Sequence, residues 1–235
     1  MRPSRILLLD LDGVLAFERE DAAAGSAQIL RLHRDVAERL AVLAIPVVVL
    51  THRSRAEART ILRSVGLGPE QLLTVMAAED LAASALQSGA WISIFRHGLR
   101  KRLIFFRLQK RYGVQPDAMA MIDDRMENLD DLLDAGLGLA LHAPSALDAR
   151  GVLTSFDLDH AFARLEAWRD GAEGPRLISL PPVVGPIAPW QSTGLSTQRD
   201  SRHLFNRART LFRTVRQRAA PGAKPKAPEP KASEP

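Results

Sequence analysis

Residues 6–15 read ILLLDLDGVL, and the fold can be worked out from this stretch outward. Four apolar residues, Ile6 to Leu9, are followed by two aspartates, Asp10 and Asp12. A short apolar run without polar alternation is typical of a strand that is buried on both faces of a parallel sheet. The aspartates then mark the carboxyl end of that strand, which is the edge where ligands bind in open α/β sheets.

Strand-like apolar runs alternate with helical spacing along the following 150 or so residues. The predicted strands are 5–11, 46–50, 71–76, 118–122 and 137–141, and the predicted helices are 26–43, 55–65, 99–112, 129–135 and 157–169. This alternation predicts a parallel sheet covered by helices on both faces. Right-handed crossovers bring the carboxyl ends of all its strands to one edge.

Polar residues gather at that edge. Thr51 follows the second predicted strand, and Asp123 and Asp124 follow the fourth, so they should meet Asp10 and Asp12. Carboxylates this close repel one another and shift their pKa values strongly. A hard cation resolves the repulsion, and Mg²⁺ suits a site of few carboxylates, waters and a phosphate group.

Lysine is rare in this chain, with only two of its five lysines, Lys101 and Lys110, before residue 171. Lys101 begins a predicted helix at the edge where the strands end. Lys110 lies about 13 Å further along that helix, at 1.5 Å per residue. Lys101 is therefore the predicted counter-charge of the carboxylates.

Four motifs in this order resemble those of the haloacid dehalogenase (HAD) superfamily of phosphohydrolases. They are DLDGVL at 10–15, VVVLT at 47–51, Lys101, and MIDDRMEN at 121–128, and the resemblance covers about residues 4–142. The DDR form of the last motif is similar to that of deoxyribonucleotidases in the superfamily. The resemblance implies a HAD-like Rossmannoid three-layer α/β sandwich with a minimal cap domain or none.

The resemblance also implies roles for the catalytic residues. Asp10 would be the nucleophile that forms an aspartyl-phosphate, and Asp12 would be the general acid and base. Thr51 and Lys101 would bind the transferring phosphoryl group, with Gly13 beside the substrate. Dehalogenases lack an acid/base at the position of Asp12, so this residue favours phosphate-ester hydrolysis.

The implied metal site would hold Mg²⁺ through Asp10, the backbone carbonyl of Asp12, and Asp124, with Asp123 close or coordinating through water. The division of ligation between Asp123 and Asp124 stays open. The next polar position of this motif is Glu127 or Asn128, and we expect Asn128 to orient the carboxylates from behind.

The predicted domain organisation is one catalytic unit with a basic extension. Its parts are a catalytic domain at 1–170 with a small insert at 77–100, a Pro/Gly-rich linker at 171–198, a basic amphipathic helix at 199–219 and a disordered, flexible tail at 220–235. Residues 1–170 carry 21 Lys and Arg against 23 Asp and Glu, and residues 171–235 carry 11 against 4. The positive charge thus belongs to the extension, which could contact an anionic membrane, nucleic acid or an acidic protein.

The sequence predicts a Mg²⁺-dependent phosphatase that acts on a phosphate monoester. One alternative is a nucleotide or nucleic-acid-end phosphatase with the extension as an electrostatic tether, and another is a catalytically silent HAD-like interaction module. The chain has no cysteine, which excludes disulfides, thiolate metal sites and a cysteine nucleophile. Its longest apolar run, residues 40–50, is too short to cross a bilayer. A cytoplasmic location, with possible peripheral membrane attachment, is expected.

Overall fold

Twelve strands and six α-helices are described in the computed structural model, which covers residues 3–21, 26–89, 99–186 and 192–198. The strands are β1 (Ile6–Leu9), β2 (Ala16–Asp21), β3 (Ser26–Arg31), β4 (Val47–Leu50), β5 (Thr74–Met76), β6 (Met119–Asp123), β7 (Leu139–His142), β8 (Ala146–Leu147), β9 (Val152–Phe156), β10 (Leu177–Ser179), β11 (Pro182–Pro186) and β12 (Ser192–Gln198). The α-helices are α1 (Val36–Leu43), α2 (Arg55–Ser64), α3 (Ala78–Gln87), α4 (Ile104–Tyr112), α5 (Met126–Asp134) and α6 (Leu158–Arg169). Short 3₁₀ helices occupy Lys101–Leu103 and Pro116–Ala118.

The central sheet has six parallel strands in the order β10-β7-β6-β1-β4-β5. Strand β1 lies between β6 and β4, so Asp10 follows a central strand with neighbours on both sides. The prediction of a parallel α/β sheet is confirmed.

Two hydrophobic cores cover the two faces of this sheet. Alternation along β1 sends Leu7 and Leu9 into one core, and Ile6 and Leu8 into the other. Helices α1, α2 and α6 contribute to the first core, and α3, α4 and α5 to the second. The protein is therefore the predicted three-layer sandwich.

The predicted helix at 26–43 is wrong over its first half. Residues Ser26–Arg31 form β3, which pairs antiparallel with β2 in a hairpin, and only Val36–Leu43 is helical. Ile29 is buried in the same core as Val36, Leu40 and Leu43 of α1, because the hairpin packs on that core. Because β3 and α1 share this core, their buried residues follow one another in the sequence at intervals that resemble those of a single helix.

The predicted linker at 171–198 is also replaced by strands. Strand β10 extends the central sheet, β11 pairs with β9, and β12 lies beside β3 in the hairpin sheet. Strand β11 starts and ends with proline, and it is an edge strand, where proline is tolerated because one side needs no ladder hydrogen bonds.

Only a small insert lies between β5 and the helix at Lys101. Its described part is mainly α3, which packs against α4, and residues 90–98 lie outside the described part of the chain. The predicted helix at 199–219 and the predicted tail at 220–235 lie outside it as well, so both stay predictions. Among the described residues, none of the helices is both long and apolar enough to cross a bilayer.

Candidate active site

The carboxyl ends of β1 and β6 bring three carboxylates together. Asp10, Asp123 and Asp124 each offer an oxygen, and these oxygens lie within 4.8 Å of one another. Strand alternation explains the convergence, because Asp10 continues the row of Ile6 and Leu8, and Asp123 the row of Met119 and Met121. Both aspartates therefore face the side of the sheet that is covered by α3, α4 and α5.

Lys101 fills the space between two of these carboxylates from that same side. Its Nζ lies 2.7 Å from Oδ2 of Asp10 and 2.7 Å from Oδ2 of Asp123, and its side chain is 1% exposed. Burial lowers the pKa of Lys101, but the two carboxylates outweigh burial and raise it above its ordinary value. The ammonium group is therefore held charged inside the site.

Asp10 is fixed at both oxygens. Oδ1 accepts a hydrogen bond of 2.7 Å from the backbone N–H of Leu11, and Oδ2 accepts from Lys101. Burial raises the pKa of Asp10 to about 7; Lys101 opposes this rise, and the charges of Asp123 and Asp12 add to it. Among the described residues, one lysine faces the three carboxylates of this cluster, which leaves their charge only partly balanced.

Asp123 and Asp124 differ in how many hydrogen bonds their carboxylate oxygens accept. Asp123 accepts from Lys101 at Oδ2, and from Asn128 Nδ2 and the backbone N–H of Arg125, each at 2.9 Å, at Oδ1. Asp124 receives a long contact of 3.4 Å from Ser145 at Oδ2. Burial raises the pKa of Asp124, and the charge of Asp123 adds to that rise. Asp124 is thus the freer ligand, and Asn128 holds Asp123 from behind.

Gly13 makes room for Asp124. Its φ is +76°, and a Cβ built at this position would lie 2.3 Å from Oδ2 of Asp124. Any side chain would displace that carboxylate, and the left-handed backbone disfavours one further. The N–H of Gly13 donates to the carbonyl of Ala16, so the glycine supports the turn rather than offering this donor to a substrate.

Asp12 has a different environment from Asp10. Asp12 lies beyond the strand, because β1 ends at Leu9 and a turn follows. The Asp12 carboxylate is 43% exposed and is bound by Arg53, whose Nε lies 2.8 and 2.9 Å from its two oxygens. Arg53 also contacts Glu18 on β2.

Thr51 is buried at the end of β4, beside the turn that leads to α2. Its Oγ1 accepts from the backbone N–H of Arg53 at 3.1 Å, so its hydroxyl proton is the group left to donate. The cap residue Ser54 then starts α2 with a capping box to Glu57. This short connection sets the position of Arg53.

Sequence reasoning missed Arg53 and Glu18. The sequence shows an arginine two residues after Thr51, but it does not show which carboxylates that arginine contacts. The contact depends on a hairpin folding back over the end of β4.

The carboxylate cluster fits a divalent cation by its own chemistry. Three carboxylates face one ammonium group, two of them have raised pKa values, and Asp124 keeps oxygens with few donors. Carboxylate oxygens are hard ligands of the kind that Mg²⁺ prefers.

Comparisons with known proteins give distant structural similarity. No family model and no curated protein matches the chain. Solved structures that are similar include a protein of Xanthomonas campestris, at 22% identity over 59% of this chain and 63% of that one, with a TM-score of 0.39. Another is the 3-deoxy-D-manno-octulosonate 8-phosphate phosphatase of Moraxella catarrhalis, in complex with magnesium, phosphate and KDO. It is 19% identical over 58% of this chain and 67% of that one, with a TM-score of 0.37. A third, from Mesorhizobium loti, is described as a HAD-like phosphatase, at 16% identity over 71% and 86%, with a TM-score of 0.45.

The chain spans just under two thirds of the Xanthomonas protein. Every identity here is below 25% and every TM-score is below 0.5.

Proposed function

We propose that this protein is a Mg²⁺-dependent phosphatase of the HAD type that hydrolyses a phosphate monoester through an aspartyl-phosphate. The observation that carries the proposal is the buried contact of Lys101 with Asp10 and Asp123, beside the freer carboxylate of Asp124. A buried lysine between carboxylates adds little stability over apolar residues in the same place, so its presence favours a chemical role. Phosphoryl transfer supplies that role, because it depends mainly on positioning and on stabilising charge.

In the first step, an Asp10 oxygen attacks phosphorus, and the bond from phosphorus to the alcohol oxygen breaks. Asp12 gives its proton to the leaving alcohol. Lys101 stabilises negative charge on the phosphoryl oxygens while it holds Asp10 in place, and the Thr51 hydroxyl donates to one of these oxygens.

In the second step, water attacks the phosphorus of the aspartyl-phosphate and gives a proton to Asp12, and the bond to Asp10 breaks. Inorganic phosphate leaves, and both carboxyl groups return to their starting state. The exposed position of Asp12 suits a group that exchanges protons with an alcohol and a water.

Asp10, Asp124 and the backbone carbonyl of Asp12 would hold the Mg²⁺, with Asp123 nearby. When bound, the cation supplies the positive charge that three carboxylates and one lysine lack, and it neutralises phosphate oxygens. Asn128 keeps Asp123 turned toward Lys101, so that the ammonium group stays between its two partners.

Steady-state hydrolysis of p-nitrophenyl phosphate tests this function. Activity should require Mg²⁺, disappear in EDTA and return when Mg²⁺ is added back in excess. Ca²⁺ should replace Mg²⁺ poorly, because it prefers looser and higher coordination. Full activity in EDTA would show that the carboxylate cluster is not a catalytic metal site.

For the basic extension, we infer a role apart from catalysis. Its charge is the supporting observation, since the part of it beyond β12, residues 199–235, carries 10 Lys and Arg against 3 Asp and Glu. A basic segment of this kind binds anionic surfaces in a salt-dependent manner. An anionic membrane is the partner to test first.

A further inference from the structure

The guanidinium group of Arg53 lies between two carboxylates from different segments of the chain. Its Nε and Nη2 face Asp12, with Nη2 2.7 Å from Oδ1, and Nη2 also contacts Glu18. Arg53 is the most buried of the three, with 17% of its side chain exposed, against 43% for Asp12 and 32% for Glu18. The arginine is thus the centre of the group.

Asp12 and Glu18 lie in segments of different secondary structure. Asp12 lies in the turn after β1. Glu18 lies within β2, where it pairs with Ile29 of β3, and this pair is one of six consecutive residue pairs in the hairpin. On the other side of β3 lies β12, and its Thr193 hydroxyl donates to the carbonyl of Ile29 at 2.6 Å. Glu18 is therefore anchored in a three-stranded sheet.

A second carboxylate partner restricts how an arginine and its first partner can rotate. The guanidinium is a rigid planar fork, and with one carboxylate partner the pair can still turn together. When Glu18 binds the same end of the fork from a fixed strand, this rotation is restricted. The orientation of Asp12 is then set by the hairpin.

We propose that Glu18 is a positioning residue: through Arg53, it holds the Asp12 carboxylate where it can reach the leaving-group oxygen. The inference rests on the proposed phosphatase function and extends it to the hairpin, which carries no reacting group of its own. Proton transfer needs a hydrogen-bond distance between the two oxygens, and a displacement of about 1 Å can cost up to about 100-fold in rate.

The leaving group provides a readout that a purely structural role would not move. An alkyl phosphate such as glycerol 2-phosphate needs a proton donor for its alcohol, whereas p-nitrophenolate leaves readily without one. Loss of Asp12 orientation should therefore slow the alkyl ester selectively. The value of kcat/KM reports the steps up to phosphorylation of Asp10, so it separates release of the alcohol from the later hydrolysis of the aspartyl-phosphate. Metal binding should be unchanged, since it does not use Glu18.

The experiment compares kcat and KM on both esters for the parent, Glu18→Ala, Glu18→Gln and Arg19→Ala. Glu18→Ala should lower kcat/KM about tenfold on the alkyl ester and less than about threefold on the aryl ester. Glu18→Gln keeps an oxygen that accepts from Arg53, and should recover most of the loss. Arg19→Ala changes the next residue on β2, which is exposed, and serves as the matched control.

Two results would overturn the proposal, and they can be told apart. If the parent hydrolyses both esters but Glu18→Ala lowers kcat/KM equally on the two, or on neither, Glu18 does not position Asp12 toward the leaving group. If the parent hydrolyses neither ester, the phosphatase function itself is wrong. Thermal unfolding of each variant separates a positioning loss from a folding loss, and a lowered Tm in Glu18→Ala that Glu18→Gln shares would also contradict the proposal.

Discussion

Lys101 and Asp10 form a buried ion pair, with 2.7 Å between Nζ and Oδ2 and with 1% and 8% of their side chains exposed. The pair joins a 3₁₀ helix before α4 to the end of the central strand β1. A second bond from the same ammonium group to Asp123 links it to β6. The position of Asp10, the proposed nucleophile, is thus set by a contact between the sheet and the helical layer that covers it.

Replacing Lys101 tests how much this contact holds together. Lys101→Met should lower the free energy of unfolding by about 3–5 kcal/mol, because it leaves buried carboxylates without their counter-charge. Urea denaturation in the absence of divalent cations measures this loss. Lys110→Met, at an exposed position on α4, is the control and should change stability little. Equal stability of the two variants would mean that the buried ion pairs do not matter for folding.

His33 should make the protein sensitive to acid. Burial lowers its pKa to about 4, while Asp35 and Asp157 pull in the opposite direction. The ring packs edge-on against Phe156 with centroids 4.4 Å apart, and Nε2 lies 3.2 Å from the Ser155 hydroxyl. Because the folded pKa is below the unfolded value near 6.5, the contribution is present above pH 6.5 and is lost as the pH falls toward 4.

Urea denaturation at several pH values checks this sign. Between pH 7.5 and 4, the parent should lose about 2–3 kcal/mol more than His33→Gln, because every other titrating group is common to both proteins. Identical pH dependence of parent and variant would show that His33 is not held neutral by the fold.

Truncation after Gln198 should leave the described fold intact, since β12 ends there. The fragment 1–198 should keep the Tm of the full chain and its turnover of a small phosphate ester. The fragment 1–186 also lacks β12, and with it the bond from Thr193 to Ile29. It should have a lower Tm and a lower kcat/KM on alkyl esters. Equal behaviour of the two fragments would mean that β12 does not support the hairpin.

The basic extension should bind anionic vesicles in a salt-dependent manner. Co-sedimentation with phosphatidylserine vesicles should occur for the full chain at low salt. It should weaken strongly in 0.5 M salt, where charges more than about 5 Å apart are largely screened from one another. The fragment 1–198 should stay in the supernatant under both conditions. Binding of this fragment to the vesicles would place the contact elsewhere in the chain.

Much of the sheet could be predicted because its signals are local. Buried runs such as Val47–Leu50 and Met119–Asp123 end in polar residues, and parallel topology brings those ends together without further information. Asp10, Lys101 and Asp123 could be identified for that reason. Asn128 followed from its position after the acidic pair.

The hairpin and the late strands could not be predicted, because their signals depend on distant partners. The spacing of Ile29, Val36 and Leu40 imitates one helix, because the strand β3 and the helix α1 share a core. Pro182 and Pro186 suggest a linker, but both fit an edge strand that β9 stabilises. The role of Arg53 likewise depends on where the hairpin places Glu18.

The most direct test of the central claim, that Asp10 is the nucleophile, is detection of the covalent intermediate. Asp12→Asn should slow hydrolysis of the aspartyl-phosphate, so rapid acid quenching with p-nitrophenyl phosphate and Mg²⁺ should trap it. Intact mass spectrometry should then show one added phosphoryl group, and peptide mapping should place it on Asp10. The double variant Asp10→Asn, Asp12→Asn should show none. A phosphoryl group on another residue, or single Asp10→Asn activity within tenfold of the parent, would contradict the claim.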